Sequence, residues 1–245
     1  KQKMSKEITS IDEVLVQLED IIIEAEKTNS TMGYFAVLYR KVTLKVKEGI
    51  DNNFFDDGPR MEKLDVIFAL RYLDAYSSWK NKTACTQSWK VTFDCGSENR
   101  LIVLQHLLLG MNAHINLDLG IAAAQISRDT NINNLENDFN KINEILSSLV
   151  IEVENHLSKI WPMLKRILKW TNKVDDFLAD FSMELARDGA WEFAKVLSAE
   201  SPETEEDLIG ARDSIVAKKA RLVTQPGTIA GIILRIIHFG EKGTV

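Results

Sequence analysis

Apolar residues recur every three to four positions along most of the chain, the spacing that lays one stripe along a helix. Ile11, Val14, Leu15, Leu18, Ile21, Ile22 and Ala25 follow it behind Ser10 and Glu13, which form a capping box, S-x-x-E. The pattern predicts a first helix from about 10 to 27. Asn29, Ser30 and Thr31 break it, and a second helix carries Phe35, Leu38, Tyr39, Val42, Val46 and Ile50. The polar run around 51–57 marks a loop, and Pro59 suits the first turn of a third helix over 59–79. Residues 80–98 break the helical rhythm. Their Thr, Val, Phe and Trp suggest an irregular insertion or crossover loop that Trp89 plugs to the body.

The stretch from Arg100 to Arg128 is different. Its centre, LLLGMNAHINLDLGIAAA, is apolar on nearly every side, yet it holds His106, Asn112, His114, Asn116 and Asp118. Such a segment is a central, buried helix, and its polar groups need partners inside the protein. Helical projection sorts them into two strips. His114, Asp118 and Gln125 share one, with Gly110 beside it and His106 toward its edge. Gln105, Asn112 and Asn116 fall on the other side.

Beyond a turn at 131–134, Leu135 to Ile160 keeps an amphipathic pattern up to a break at Pro162. Pro162 kinks that helix or starts a new one, and the apolar face continues to Trp170; further helices are predicted from about 171 to 197, from Ser201-Pro202-Glu203 to about 222, and over 228–239. No stretch alternates like a strand. The expected fold is all-α: a single-domain multi-helix bundle, 1–245, of about eight to nine helices around a buried central helix.

Composition narrows the function classes. Formal net charge is −6 over 245 residues and the basic residues are scattered, so no nucleic acid partner is expected. No apolar run reaches the ~18 residues of a membrane span, and no signal peptide stands at the start. The expectation is a cytoplasmic protein with no membrane partner. Cys85 and Cys95 lie in one polar segment; free thiols are the preferred reading and a small loop disulfide the alternative. Glycine-rich phosphate loops, G-x-S-x-G and zinc-type cysteine spacings are missing.

What chemistry remains sits on two helices. His114 and Asp118 are four apart, so both project from one face, as a base with its orienting acid or as two metal ligands. Asp65 lies on an aromatic face with Met61, Phe68, Ala69, Tyr72, Tyr76 and Trp79, where a carboxylate calls for a partner or a shifted pKa. The metal reading is the weaker one, because the Glu-x-x-His pairs of a di-iron bundle do not occur. No cofactor is indicated.

Four segments carry a family resemblance: YFAVLYRKVT at 34–43, FFDDGPRMEKLDVIFALRYLDAY at 54–76, LQHLLLGMNAHINLDLGIAAA at 104–124 and ARDGAWEFA at 186–194. They resemble the bacterial family designated domain of unknown function 5995, over about 30 to 200. The resemblance implies a helical protein and carries over no established catalytic residues. Leu70, before Arg71, departs from the polar or basic residue of that pattern.

Arg40, Asp65, Arg71, Tyr72, His106, His114, Asn116 and Asp118 all fall within these segments. The expectation is that they converge in one polar cavity, with Asp65 and Asp118 paired to Arg40 or Arg71. His114, Asp118 and Asp65 would be the catalytic groups there. Arg40, Arg71, Tyr72, His106 and Asn116 would hold a small-molecule ligand. The alternative is a non-enzymatic scaffold in which the same residues fix helix packing. The sequence assigns no oligomeric state.

Overall fold

The structure is a computed structural model, and it describes residues 8–96, 101–142, 144–146 and 183–225. Every regular element among them is helical and none is a strand. The first four helices are α1 (Ile11–Thr28), α2 (Gly33–Asp51), α3 (Gly58–Lys80) and α4 (Gln87–Gly96). The central rod is α5 (Val103–Ala113), a π-helical turn at His114–Asp118, and α6 (Leu119–Ile126). A 3₁₀ turn at Ile132–Leu135 comes next, and α7 (Met183–Ser198) and α8 (Pro202–Thr224) complete the described elements.

Local chemistry sets most of the helix ends. The Ser10 hydroxyl accepts the Glu13 N–H at 3.3 Å, and Asn29 closes α1 in the left-handed region at φ 52°. Asp57 accepts the Arg60 N–H at 3.0 Å, with Pro59 in the first turn of α3. Ser201 caps α8, where Glu203 and Glu205 oppose the positive end of the helix dipole.

The irregular stretch expected over 80–98 is corrected by α4. Its buried Ser88, Trp89, Thr92, Phe93 and Gly96 keep helical spacing, which the β-branched Thr and Val residues obscure in the sequence. The start of α4 is held from outside. The buried Asp213 carboxylate, on α8, accepts the Gln87 and Ser88 N–H groups at 2.6 and 2.9 Å. Asp138 plays the same part at the α2–α3 loop. It accepts the Asp56 and Asp57 N–H groups at 2.6 and 3.0 Å and pairs with Arg60 at 2.9 Å.

The rod Val103–Ile126 spans 24 residues, which corrects the expectation that no apolar segment reaches a spanning length. Its most apolar window is 94% buried inside the protein, as in the core helix of a globular fold. It packs against α2, α3 and α4 on one side and against α7 and α8 on the other. Two glycines permit close crossings. A Cβ at Gly110 would collide with the Phe35 ring of α2, and one at Gly120 would lie 2.9 Å from the Ala190 carbonyl of α7. Leu135 and Phe139 are buried as the predicted stripe requires. That helix beyond 146, the segment around Pro162, the start of the helix before 183, the last helix over 228–239, His156 and His238 lie outside the described residues.

Candidate functional site

The two polar strips on the rod meet different neighbours. The Asn112 strip faces α8: Asn112 donates to the Val216 carbonyl at 2.9 Å, and Gln105 to that of Val223 at 2.7 Å. Asn116 donates to Asn112 Oδ1 at 3.2 Å, and its backbone carbonyl accepts Arg212 Nε at 2.9 Å. This is a packing seam. It ties Asn116, expected as a ligand contact, into the contact of the rod with α8.

The other strip faces α2, α3 and α4. It stands on the π turn, where the Leu119 N–H reaches the His114 carbonyl, five residues back instead of four. Asp118 is 0% exposed and its carboxylate accepts three donors. Arg71 Nε reaches Oδ1 at 3.2 Å, while Trp89 Nε1 at 2.7 Å and His114 Nδ1 at 3.1 Å share Oδ2. Arg71 is itself about a third exposed, so it compensates the buried charge from the protein's edge. With the carboxylate accepting from a guanidinium and an indole, the His114 proton belongs on Nδ1, which leaves Nε2 as a lone pair. Burial keeps the His114 pKa below its usual value, opposed by the hydrogen bond and charge of Asp118 and reinforced by Arg71.

The imidazole, 2% exposed, sits among rings. Phe68 stacks on it at 3.6 Å between centroids and 7° between planes, and Tyr39 meets it edge-on at 4.5 Å. Phe35, Tyr72 and Trp89 complete the surround at 5.8, 6.2 and 5.8 Å. Nε2 has no hydrogen-bond partner in this box. Asp65 Oδ2 on α3 is among the other buried atoms in that condition. Thr43 lies one turn from Tyr39 on α2, and its hydroxyl's hydrogen bond to the phenol opposes the rise of the Tyr39 pKa. Burial, with the Glu62 carboxylate adding, pushes Asp65 up to about 7. Burial likewise raises the Tyr39 phenol well above its ordinary value, and the Asp65 and Asp118 charges raise it further.

Of the predicted residues, Arg71, Tyr72, His114 and Asp118 come together here, and Asp65 is tied to the group only through its charge acting on Tyr39. Arg40 does not: its Nε lies 2.7 Å from Glu19 of α1, so the expected Arg40–Asp65 pairing is replaced by a pair at the α1–α2 seam. His106 is two turns before His114, with its ring 5.8 Å from Tyr34. It lines a cavity of about 20 Å³ with Phe35, Tyr72 and Trp89, room for about one water molecule. Trp89, Tyr39 and Thr43 were absent from the predicted set. Trp89 belongs to the segment expected to be irregular. Thr43 gave one signal, a hydroxyl on the apolar stripe of α2. Among the described residues no third His, Cys, Asp or Glu joins His114 and Asp118 in a group able to hold a metal ion. Cys85 and Cys95 form no disulfide.

Fold and site together define an all-helical protein organised around a buried histidine–carboxylate pair. The chain belongs to a family of unknown function, DUF5995, whose model matches residues 11–226. No curated protein and no solved structure matches the chain.

Proposed function

We propose that this protein binds a small molecule at His114, with His114 as acid–base group, Asp118 as its orienting acid and Asp65 as a second proton-exchanging carboxyl. One observation carries the reading: His114 is anchored at Nδ1 and bare at Nε2 in a buried aromatic box. Folded proteins rarely leave a buried acceptor unmatched, because desolvation costs about 1–3 kcal/mol with nothing returned. A ligand that donates to Nε2 recovers that loss. Arg71 then tunes the pair through Asp118, and Tyr72 shapes the wall. A thermal-shift screen of small polar metabolites tests this. At least one compound should raise the melting temperature of the wild type by mass action and lose its effect in His114→Gln. A hit that stabilises both proteins equally, or no hit at all, contradicts the proposal.

A second reading has its own support. Asp118 is fully enclosed and saturated by three donors, as in a lock that fixes how the rod docks on α3 and α4. On this reading His114→Phe and His114→Leu each destabilise the protein by about 1.5–3 kcal/mol, because they strip the buried Asp118 carboxylate of a donor, and no ligand depends on residue 114.

A further inference from the structure

We propose that Arg212 is the positioning residue of the His114 site: by holding the Asn116 carbonyl it fixes the π turn, and the turn aims His114 and Asp118 at each other. This rests on the reading of His114 as the working group and names the residue that sets its geometry. Arg212 comes from α8, on the side of the rod away from α2 and α3. Its Nε donates to the Asn116 carbonyl at 2.9 Å, inside the π turn His114–Asp118. A residue added to a helical turn breaks the regular backbone ladder, and carbonyls in the break need donors from outside. It also rotates the helix beyond it by about 100°. The register of this turn therefore decides whether the Asp118 carboxylate lies against His114 Nδ1, Arg71 and Trp89 or is turned aside.

The surroundings of Arg212 are built for that contact rather than for an ion pair. Burial lowers the Arg212 pKa, with no carboxylate of the described residues opposing the shift. The guanidinium is seated by α7 instead. It lies 5.2 Å over the Phe193 ring, and a Cβ on Gly189 would stand 3.3 Å from Nη2. Gly189 and Phe193 both belong to ARDGAWEFA, the one segment of the four in the family resemblance with no ring or donor against His114 or Asp118. The same Phe193 ring closes on the rod just past the turn, 2.9 Å from where a Cβ on Gly120 would stand. α7 thus supplies the seat, Arg212 the donor and the rod the turn.

The test follows the His114 Nδ1 proton by NMR in the full chain. In the wild type the Asp118 carboxylate should protect it from exchange. In Arg212→Met it should exchange about tenfold or more faster, the measure of losing a hydrogen bond from a charged donor, and the ring nitrogen signals should move. Arg212→Lys, which keeps the charge, should move them in the same direction by less, and it decides the matter if the methionine variant does not fold. Gln105→Met is the control. It removes another hydrogen bond between the rod and α8, the one to the Val223 carbonyl, away from the π turn. It should lower the melting temperature and leave the His114 signals in place. Near-UV circular dichroism verifies the fold of each variant. Unchanged His114 signals in the folded Arg212 variants overturn the proposal. So does an equal change in Gln105→Met, because any loosening of the seam would then reach the ring. The ring is read here without a ligand, so the two readings fail separately. A response to Arg212 with an empty metabolite screen keeps the positioning role and rejects the small-molecule reading; a silent ring with a ligand that needs His114 does the reverse.

Discussion

At the residue scale, two buried groups titrate in opposite senses. Asp65 rises to about 7 because burial and Glu62 disfavour its charge. The folded protein therefore holds that proton more tightly than the unfolded chain does. The associated stability is fully present below about pH 4 and is lost as pH rises toward 7, up to about 4 kcal/mol in all. His114 is depressed by burial, so its contribution is present above its ordinary value and lost as pH falls below about 6.5. Asp65→Asn separates the two. The variant should lose the decline between pH 4 and 7 and should be more stable than the wild type at about pH 8. Urea unfolding across that range checks it; a variant that keeps the wild-type slope contradicts the assignment.

At the element scale, the π turn decides what the rod presents. It sets His114 and Asp118 toward α3 and α4 while Asn112 and Asn116 hold α8. Gly110 lets α2 approach closely enough for Tyr39 and Phe35 to enclose the imidazole. Gly110→Ala should destabilise the protein by about 1–3 kcal/mol, because overpacking against Phe35 outweighs the roughly 1 kcal/mol gained in helix propensity. Thermal unfolding measures this, and a more stable variant would contradict the close crossing. The elements differ in how far the sequence reveals them. α1, α3 and α8 announce themselves through Ser10, Asp57 and Ser201, caps that lie beside the helices they start. α4 does not, because its first N–H groups are satisfied by Asp213, 126 residues away in the chain. The π turn is hidden for a similar reason: Arg212, 96 residues on, takes the Asn116 carbonyl.

At the scale of the molecule, buried carboxylates act as distant staples. Asp138 joins the α2–α3 loop to the chain after the rod, and Asp213 joins α8 to α4. Asp213→Ala should cost about 1–3 kcal/mol, since it strips two N–H groups of their acceptor. Hydrogen exchange should show the loss first at Gln87 and Ser88, and unchanged exchange there would contradict the staple. Long-range pairing also explains which site residues were legible. Helical projection placed His114 with Asp118 and put Asp65 on the aromatic face of α3. It could not choose among the cations, because Arg40 and Arg71 share the same segments and only the packing of α1 sends Arg40 to Glu19. Trp89 was hidden with α4, whose register follows from α8.

The account turns on the state of one ring. Nitrogen-resolved NMR of the His114 imidazole, followed from about pH 5 to 8, tests it most directly. The prediction is a neutral ring with the proton on Nδ1, a bare Nε2, and a midpoint below the ordinary histidine value of about 6.5. A proton on Nε2, or a midpoint above that value, would contradict it.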